Sequence, residues 1–258
     1  MKVLIHNSAE QAVTLVADLF ISRLSNKPNL VLGLATGGTM DAVYSRLIEA
    51  YQSGLISFSR AQSFNLDEYV GLAPNHPCSY WRYMRERLFD YVDFPQNATH
   101  LPHGDAADPE VEAASYEAAI EDAGDIGLQL LGLGANGHIG FNEPTSSLAS
   151  LTRIKTLTAS TRQANARFFV QPDDVPKTAI TMGIGTILRA EEIVLLACGE
   201  AKAEAAAAMI EGPLSASCPA SALQLHRRTT VVLDRAAAGR LTLRDYYELI
   251  HPSGDEPI

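Results

Sequence analysis

A chain of 258 residues, 47% hydrophobic and 19% charged, has the composition of a globular enzyme with one large core. Its net charge of −10 and pI near 5.1 disfavour nucleic acid or an anionic membrane as partner, and no apolar stretch reaches the ~18 residues needed to cross a bilayer. Cys78, Cys198 and Cys218, an odd set without C-x-x-C spacing, point to reduced thiols in a cytoplasmic chain with neither a disulfide framework nor a metal site.

Apolar runs of strand length alternate with helical patterns. "MKVLIHNS" reads as a first strand, because polar His6 and Asn7 interrupt it too early for a signal peptide. Ser8-x-x-Gln11 has the spelling of a capping box and is followed by Val13, Val16, Ala17, Phe20 and Leu24 at helical spacing. "NLVLGLA" then leads through the glycine-rich "GLATGGTM" into the helical "MDAVYSRLIEAY". A glycine turn between strand and helix aims backbone N–H groups at an anion, and Thr36 and Thr39 add hydroxyls on either side of Gly37 and Gly38. Gly33 and Gly38 have Walker spacing, but Thr39 stands where Lys should follow. An ordinary tight turn with Thr39 as helix cap accounts for the same residues.

"QSFNL" precedes "DEYVGL" in the same alternation, which puts Asp67 and Glu68 at the end of a buried strand. Either is a candidate general base, or Asp67 caps the following turn. "PCSYWRYMRERLFD", residues 77–90, reads as a packed amphipathic helix or as a lid. "LQLLGLG" opens into "LGLGANGHIGFNEP", residues 131–144, where Gly132, Gly134 and Gly137 spell G-x-G-x-x-G. A dinucleotide site would need a helix after the last glycine and an acidic residue about 20 positions on for the ribose. Pro144 breaks the first, and no carboxylate lies where the second should be. The glycines instead release Asn136, His138 and Glu143, of which His138 is the proton-transfer candidate and Glu143 the group to orient it.

"RIKT" places Arg153 and Lys155 on one face of a β-like segment, either a solvated face or a second anion site. Arg167 and Lys202 are candidate phosphate cations. "CGEAKAEA" puts Lys202 in the first turn of a helix, where the dipole disfavours Lys unless an anion compensates. "EIVLLACG", before an alanine-rich helix, and "TTVVLD" supply two more strands. Runs of Val, Ile and Leu without polar alternation are buried on both faces, so the expected fold is α/β: a single domain with a mainly parallel Rossmann-like sheet flanked by helices. Ligands in such sheets sit beyond the carboxyl ends of the strands.

In order along the chain, "LGLATGGT", "FNLDEYVGL", "LGLGANGHIGFNEP", "SLTRIKTLT", "ANARFF", "TMGIGTIL" and "LQLH" resemble the glucosamine-6-phosphate deaminases, over residues 1–250 and short of a tail at 251–258. The resemblance implies conversion of glucosamine 6-phosphate and water to fructose 6-phosphate and ammonia, without metal or organic cofactor. It implies that His138, supported by Glu143 and Asn136, opens the sugar ring, and that Asp67 carries the C2 proton to C1 through an enolamine. Thr36, Gly37, Gly38, Thr39, Arg167 and Lys202 would hold the substrate phosphate. Some members have Asp where this chain has Asn136, which implies a shifted acid limb here, since an amide lends no charge to a protonated imidazole.

The same resemblance implies a homo-oligomer, with N-acetylglucosamine 6-phosphate as an effector at Ser146, Arg153 and Lys155. Leu151, in place of an expected arginine, and the tail "IHPSGDEPI" depart from the allosteric type. Two alternatives stand beside the deaminase. 6-Phosphogluconolactonase shares the fold, but "IGFNEP" and Tyr69 depart from its pattern. A non-catalytic sugar-phosphate sensor would not need Asp67, His138 and Glu143 together.

Overall fold

A computed structural model describes residues 1–169, 171 and 174–254. Seven parallel strands form the main sheet in the order β1-β10-β9-β6-β2-β3-β5: β1 (Lys2–His6), β2 (Val31–Leu34), β3 (Gln62–Asn65), β5 (Thr99–His100), β6 (Leu128–Gly132), β9 (Glu192–Ala197) and β10 (Thr229–Asp234). The strand-forming runs of Val, Leu and Ile are buried along their whole length in β9 and β10, as a sheet covered on both faces requires.

Helix α1 (Ala9–Asn26) lies against β1, β9, β10 and α2 (Gly38–Gln52). Ser8 caps α1 by accepting the N–H of Gln11 at 3.3 Å. The return bond from Gln11 goes to the N–H of Asn7, one residue earlier than a capping box would place it. Asp108 caps α4 (Pro109–Asp122), which sends Tyr116 onto the carbonyls of Asn65 and His100 at 2.7 and 3.1 Å. The alanine-rich run forms α7 (Ala203–Ile210), and α8 (Arg244–Ile250) packs on β1.

A second, three-stranded antiparallel sheet was not expected. β4 (Asp67–Tyr69), β8 (Thr178–Thr181) and β7 (Arg153–Thr156) line up in the order β4-β8-β7. The "DEY" of "DEYVGL" is therefore a strand, followed by a turn, where the alternation predicted a helix. The reason is pairing: Asp67 sits opposite Thr181 and Tyr69 opposite Ala179, so the chain leaves β3, passes Leu66 and joins another sheet. The remaining α-helices are α3 (Tyr80–Arg87), which packs on β4 and α2, α5 (Ala159–Asn165) and α6 (Ile184–Leu188).

All three cysteines are free. No described helix is long and apolar enough to cross a membrane. Residues 252–254 pack on β1, with position 254 against the His6 ring, and residues 255–258 of the expected tail lie outside those described.

Candidate active site

The turn after β6 is shaped around one imidazole. The His138 ring lies on the Cα of Gly134, where a Cβ would come within 2.3 Å of it, so only glycine leaves the shelf open. Backbone bonds from Gly134 to the His138 carbonyl (2.9 Å) and from Gly137 to the Gly134 carbonyl (3.0 Å) close the turn, and Ala220 donates to the Gly137 carbonyl (2.9 Å). Asn142, fully buried, donates to the carbonyls of Ile139 and Met182 and pins the segment that follows.

Within this turn a chain of hydrogen bonds fixes the imidazole. Asn136 donates Nδ2–H to Glu143 Oε2 (2.8 Å), which commits its Oδ1 as acceptor. That oxygen lies 2.6 Å from His138 Nδ1 and 3.2 Å from the His138 backbone N. Nδ1 must therefore carry the proton, leaving the Nε2 lone pair as the base. Glu143 was expected to orient the ring directly. Its nearest approach is 3.7 Å, and its hold on His138 runs through Asn136.

Burial pushes the His138 imidazole below its ordinary range; the Glu143 charge opposes this and Lys202 reinforces it. Burial would raise the Glu143 carboxyl, but hydrogen bonds from Thr161, Asn136 and the Thr158 backbone and the His138 charge hold it below the usual range. Thr158 donates to Glu143 Oε1 from its hydroxyl (3.1 Å) and its N–H (3.3 Å), and the same hydroxyl caps α5. Sequence reasoning passed over Thr158 and Thr161, although "TAST" before a helical segment is an N-cap spelling.

Asp67 approaches the segment just after His138 from β4. Position 140 lies against its carboxylate, where a Cβ would be 3.4 Å from Oδ2, and the Phe141 N–H faces it. Burial first, then the neighbouring Glu68 charge, pushes the Asp67 carboxyl up to about 8, against the Phe141 N–H, which lowers it. Glu68, the other candidate base, is occupied elsewhere: it accepts three backbone N–H bonds, from Tyr69, Tyr80 and Trp81. Its partners Tyr80 and Trp81 open α3, whose N-cap is Ser79.

The glycine turn after β2 opens helix α2. Gly37 is its N-cap at φ 124, in a region an L side chain avoids, and no side chain caps it. Thr39 thus lies inside the helix and does not cap it. A helix start without a side-chain cap has the geometry that suits an anion. Gly33 plays no part in the turn: a Cβ there would fall 2.1 Å from Gln129 Oε1, so its lack of a side chain makes room for that amide. The Thr36 hydroxyl meets Tyr80 of α3.

Lys202 ends a 3-10 turn just before α7, at the N-cap position and not in the first turn as the spacing predicted. Burial, then the Arg167 charge, lowers its ammonium. Lys202 thus sees both Arg167 and His138, which joins the cation pair to the proton relay. Asp234, another residue missed in the sequence, accepts the Gly199 N–H at 3.0 Å and steadies that turn.

The segment read as a packed amphipathic helix or a lid holds α3, which is tied down as a packed helix. Ser79 caps it, Glu68 holds its first N–H groups, and Tyr83 lies 2.6 Å from Asp41 Oδ1 and 3.0 Å from the Gly37 carbonyl. Of the effector candidates, Arg153 and Lys155 fall together on β7. Lys155 is lowered by burial and then by Arg153, while Glu143 raises it. Ser146 is buried and donates its hydroxyl to the Glu143 carbonyl at 2.6 Å.

A histidine and a raised carboxyl near an uncapped glycine turn, at the carboxyl ends of parallel strands, mark a Rossmann-like protein with the features of an enzyme site. Residues 5–232 match the family model described as glucosamine-6-phosphate isomerases/6-phosphogluconolactonase, and the chain belongs to that family. Relatives named glucosamine-6-phosphate deaminase include one from Cellvibrio japonicus, 53% identical over 97% of this chain and 95% of the relative. Another, from Rhodopirellula baltica, is 54% identical over 91% of this chain and 94% of the relative. A solved structure described as a monomeric glucosamine-6-phosphate deaminase superposes with a TM-score of 0.91 at 46% identity, covering 93% of this chain and all of the other. The 6-phosphogluconolactonase of Trypanosoma brucei, with a TM-score of 0.72 at 19% identity over 93% of this chain and 98% of the other, shares the fold.

Proposed function

We propose that this chain converts glucosamine 6-phosphate and water to fructose 6-phosphate and ammonia, a hydrolytic deamination driven by an aldose–ketose isomerisation. The observation that carries the reading is that one turn after β6 brings His138 into electrostatic reach of Lys202, itself beside Arg167, and at Gly140 lies against the Asp67 carboxylate. The phosphate binds the Thr36–Thr39 turn, Arg167 and Lys202. His138 Nε2 takes the anomeric hydroxyl proton and passes it to the ring oxygen, opening the sugar, while Asn136 and Glu143 hold Nδ1–H in place. Asp67, ionised, removes the C2 proton to give the enolamine and returns a proton to C1. Water then adds to the C2 imine and ammonia leaves, so one water enters for each ammonia released.

A homo-oligomer, and N-acetylglucosamine 6-phosphate as effector at Ser146, Arg153 and Lys155, belong to the same proposal. The facing cations of β7 support an anion there, and the Lys155–Glu143 interaction supplies a route to the relay. A domain boundary after residue 250 and a cytoplasmic location complete it.

The test is ammonia and fructose 6-phosphate formation from glucosamine 6-phosphate without added metal, with and without the effector. Equimolar products are expected, with a sigmoidal rate curve straightened by effector. A folded protein that releases neither product overturns the reading and moves the weight to the lactonase or the sensor.

A further inference from the structure

We propose that Glu68 is a positioning residue that holds Asp67 and the phosphate turn in one rigid piece, acting through α3 without touching substrate. This rests on the deaminase reading for its kinetic consequences only. Asp67 and Glu68 are neighbours on β4, so their side chains leave the strand on opposite faces. Asp67 meets the pocket. Glu68, 2% exposed, meets α3: Oε1 accepts the N–H groups of Tyr69 (2.9 Å) and Tyr80 (3.1 Å), and Oε2 that of Trp81 (3.0 Å). Tyr80 and Trp81 are the first two residues of the helix, where unpaired N–H groups and the helix dipole favour a carboxylate. One turn further, Tyr83 reaches the Gly37 carbonyl and Asp41, and Arg87 lies 3.5 Å from Asp41. A single buried carboxylate therefore joins the strand of the base to the turn that cradles phosphate.

The second part of the role is electrostatic. The groups facing this pair are acidic or phenolic: Asp105 faces Glu68, and Tyr69, Tyr80 and Tyr116 face Asp67. Burial pushes the Glu68 carboxyl up to about 7, and the N–H groups of Tyr80, Trp81 and Tyr69 oppose it where Asp67 has only that of Phe141; Glu68 is thus the member favoured to ionise first, and its charge keeps Asp67 protonated to higher pH. Such a pair gives up its protons in sequence, and the order is set by the hydrogen bonds.

The experiment is a carboxyl titration by NMR on aspartate-labelled protein, with Asp67→Asn to assign the resonance, together with affinity for inorganic phosphate. Neither readout needs turnover, so a failed deaminase reading leaves both intact. In Glu68→Gln the Asp67 midpoint should fall by about one pH unit, and in an active enzyme the acid limb of kcat/KM should fall with it. Glu68→Asp keeps the charge on a shorter arm, so its Asp67 midpoint should stay high while phosphate affinity drops about tenfold. Tyr83→Phe should weaken phosphate with the midpoint unmoved. An Asp67 midpoint unchanged in Glu68→Gln overturns the electrostatic role, and phosphate affinity unchanged in both Glu68→Asp and Tyr83→Phe overturns the positioning role.

Discussion

In the turn after β6 the groups that orient the imidazole are already partnered: Asn136 to Glu143 and His138, Glu143 to Thr158, Thr158 to the start of α5. In the cradle formed after β2 and β9 the opposite holds. The leading N–H groups of α2 have no side-chain cap, and the partly buried Lys202 has another cation, Arg167, within electrostatic reach. The first region is organised by its own hydrogen bonds; the second is not. That division suits a catalyst, because preorganised groups act on the transition state while the distant phosphate supplies binding.

The sharpest way to break the comparison is to remove a member of the relay's acid–base pair. Asp67→Asn should lower kcat by about 10²–10⁴-fold with little change in phosphate affinity. It should also stabilise the fold, and the sign follows from the raised carboxyl. The folded protein keeps a proton up to about pH 8 that the unfolded chain releases near pH ~4. Stability contributed by the neutral carboxyl is present below about pH 4 and lost as pH rises through about 8. The variant escapes that loss, so its gain in Tm should grow across this window. A Tm difference independent of pH would remove the argument.

A middle-sized effect belongs to the cradle. Lys202→Ala should raise KM about 10–100-fold and change kcat less, since it removes one charge-assisted contact to a non-reacting group. A fall in kcat alone would place Lys202 in the relay.

The smallest effect sharpens the relay itself. Asn136→Asp puts a carboxylate against His138 Nδ1, favours the imidazolium and should move the acid limb of the pH profile up by about one unit. An unchanged profile would show that the amide already supports the ring as well as an acid does.

Much of the fold could be read in the sequence because its strands are buried on both faces and its helices carry caps and periodicity. Asp67, Asn136, His138 and Glu143 were legible as polar residues at strand ends, where packing alone gives no reason for them. What escaped was whatever depends on contacts distant in sequence. "DEY" looks like a helix start until Thr181 pairs with it. Glu68 looks like a second base until two N–H groups of α3, joined by that of Tyr69, claim it. Gly33 looks like part of a phosphate loop until Gln129 is seen lying on it. Local pattern specifies elements; it carries no record of which element arrives alongside.

The register of β10 has a further consequence, for how the chain reaches this state. Residues 229–234 insert between β1, residues 2–6, and β9, residues 192–197, so the first strand cannot join the sheet until the tenth has been made. During synthesis two strands rich in Val, Leu and Ile present open edges while most of the chain already exists. Closure across so long a loop is slow, and such edges recruit neighbouring chains. Refolding from denaturant should therefore lose yield with rising protein concentration, and a segment ending before residue 229 should aggregate even though nearly all of the pocket is encoded upstream.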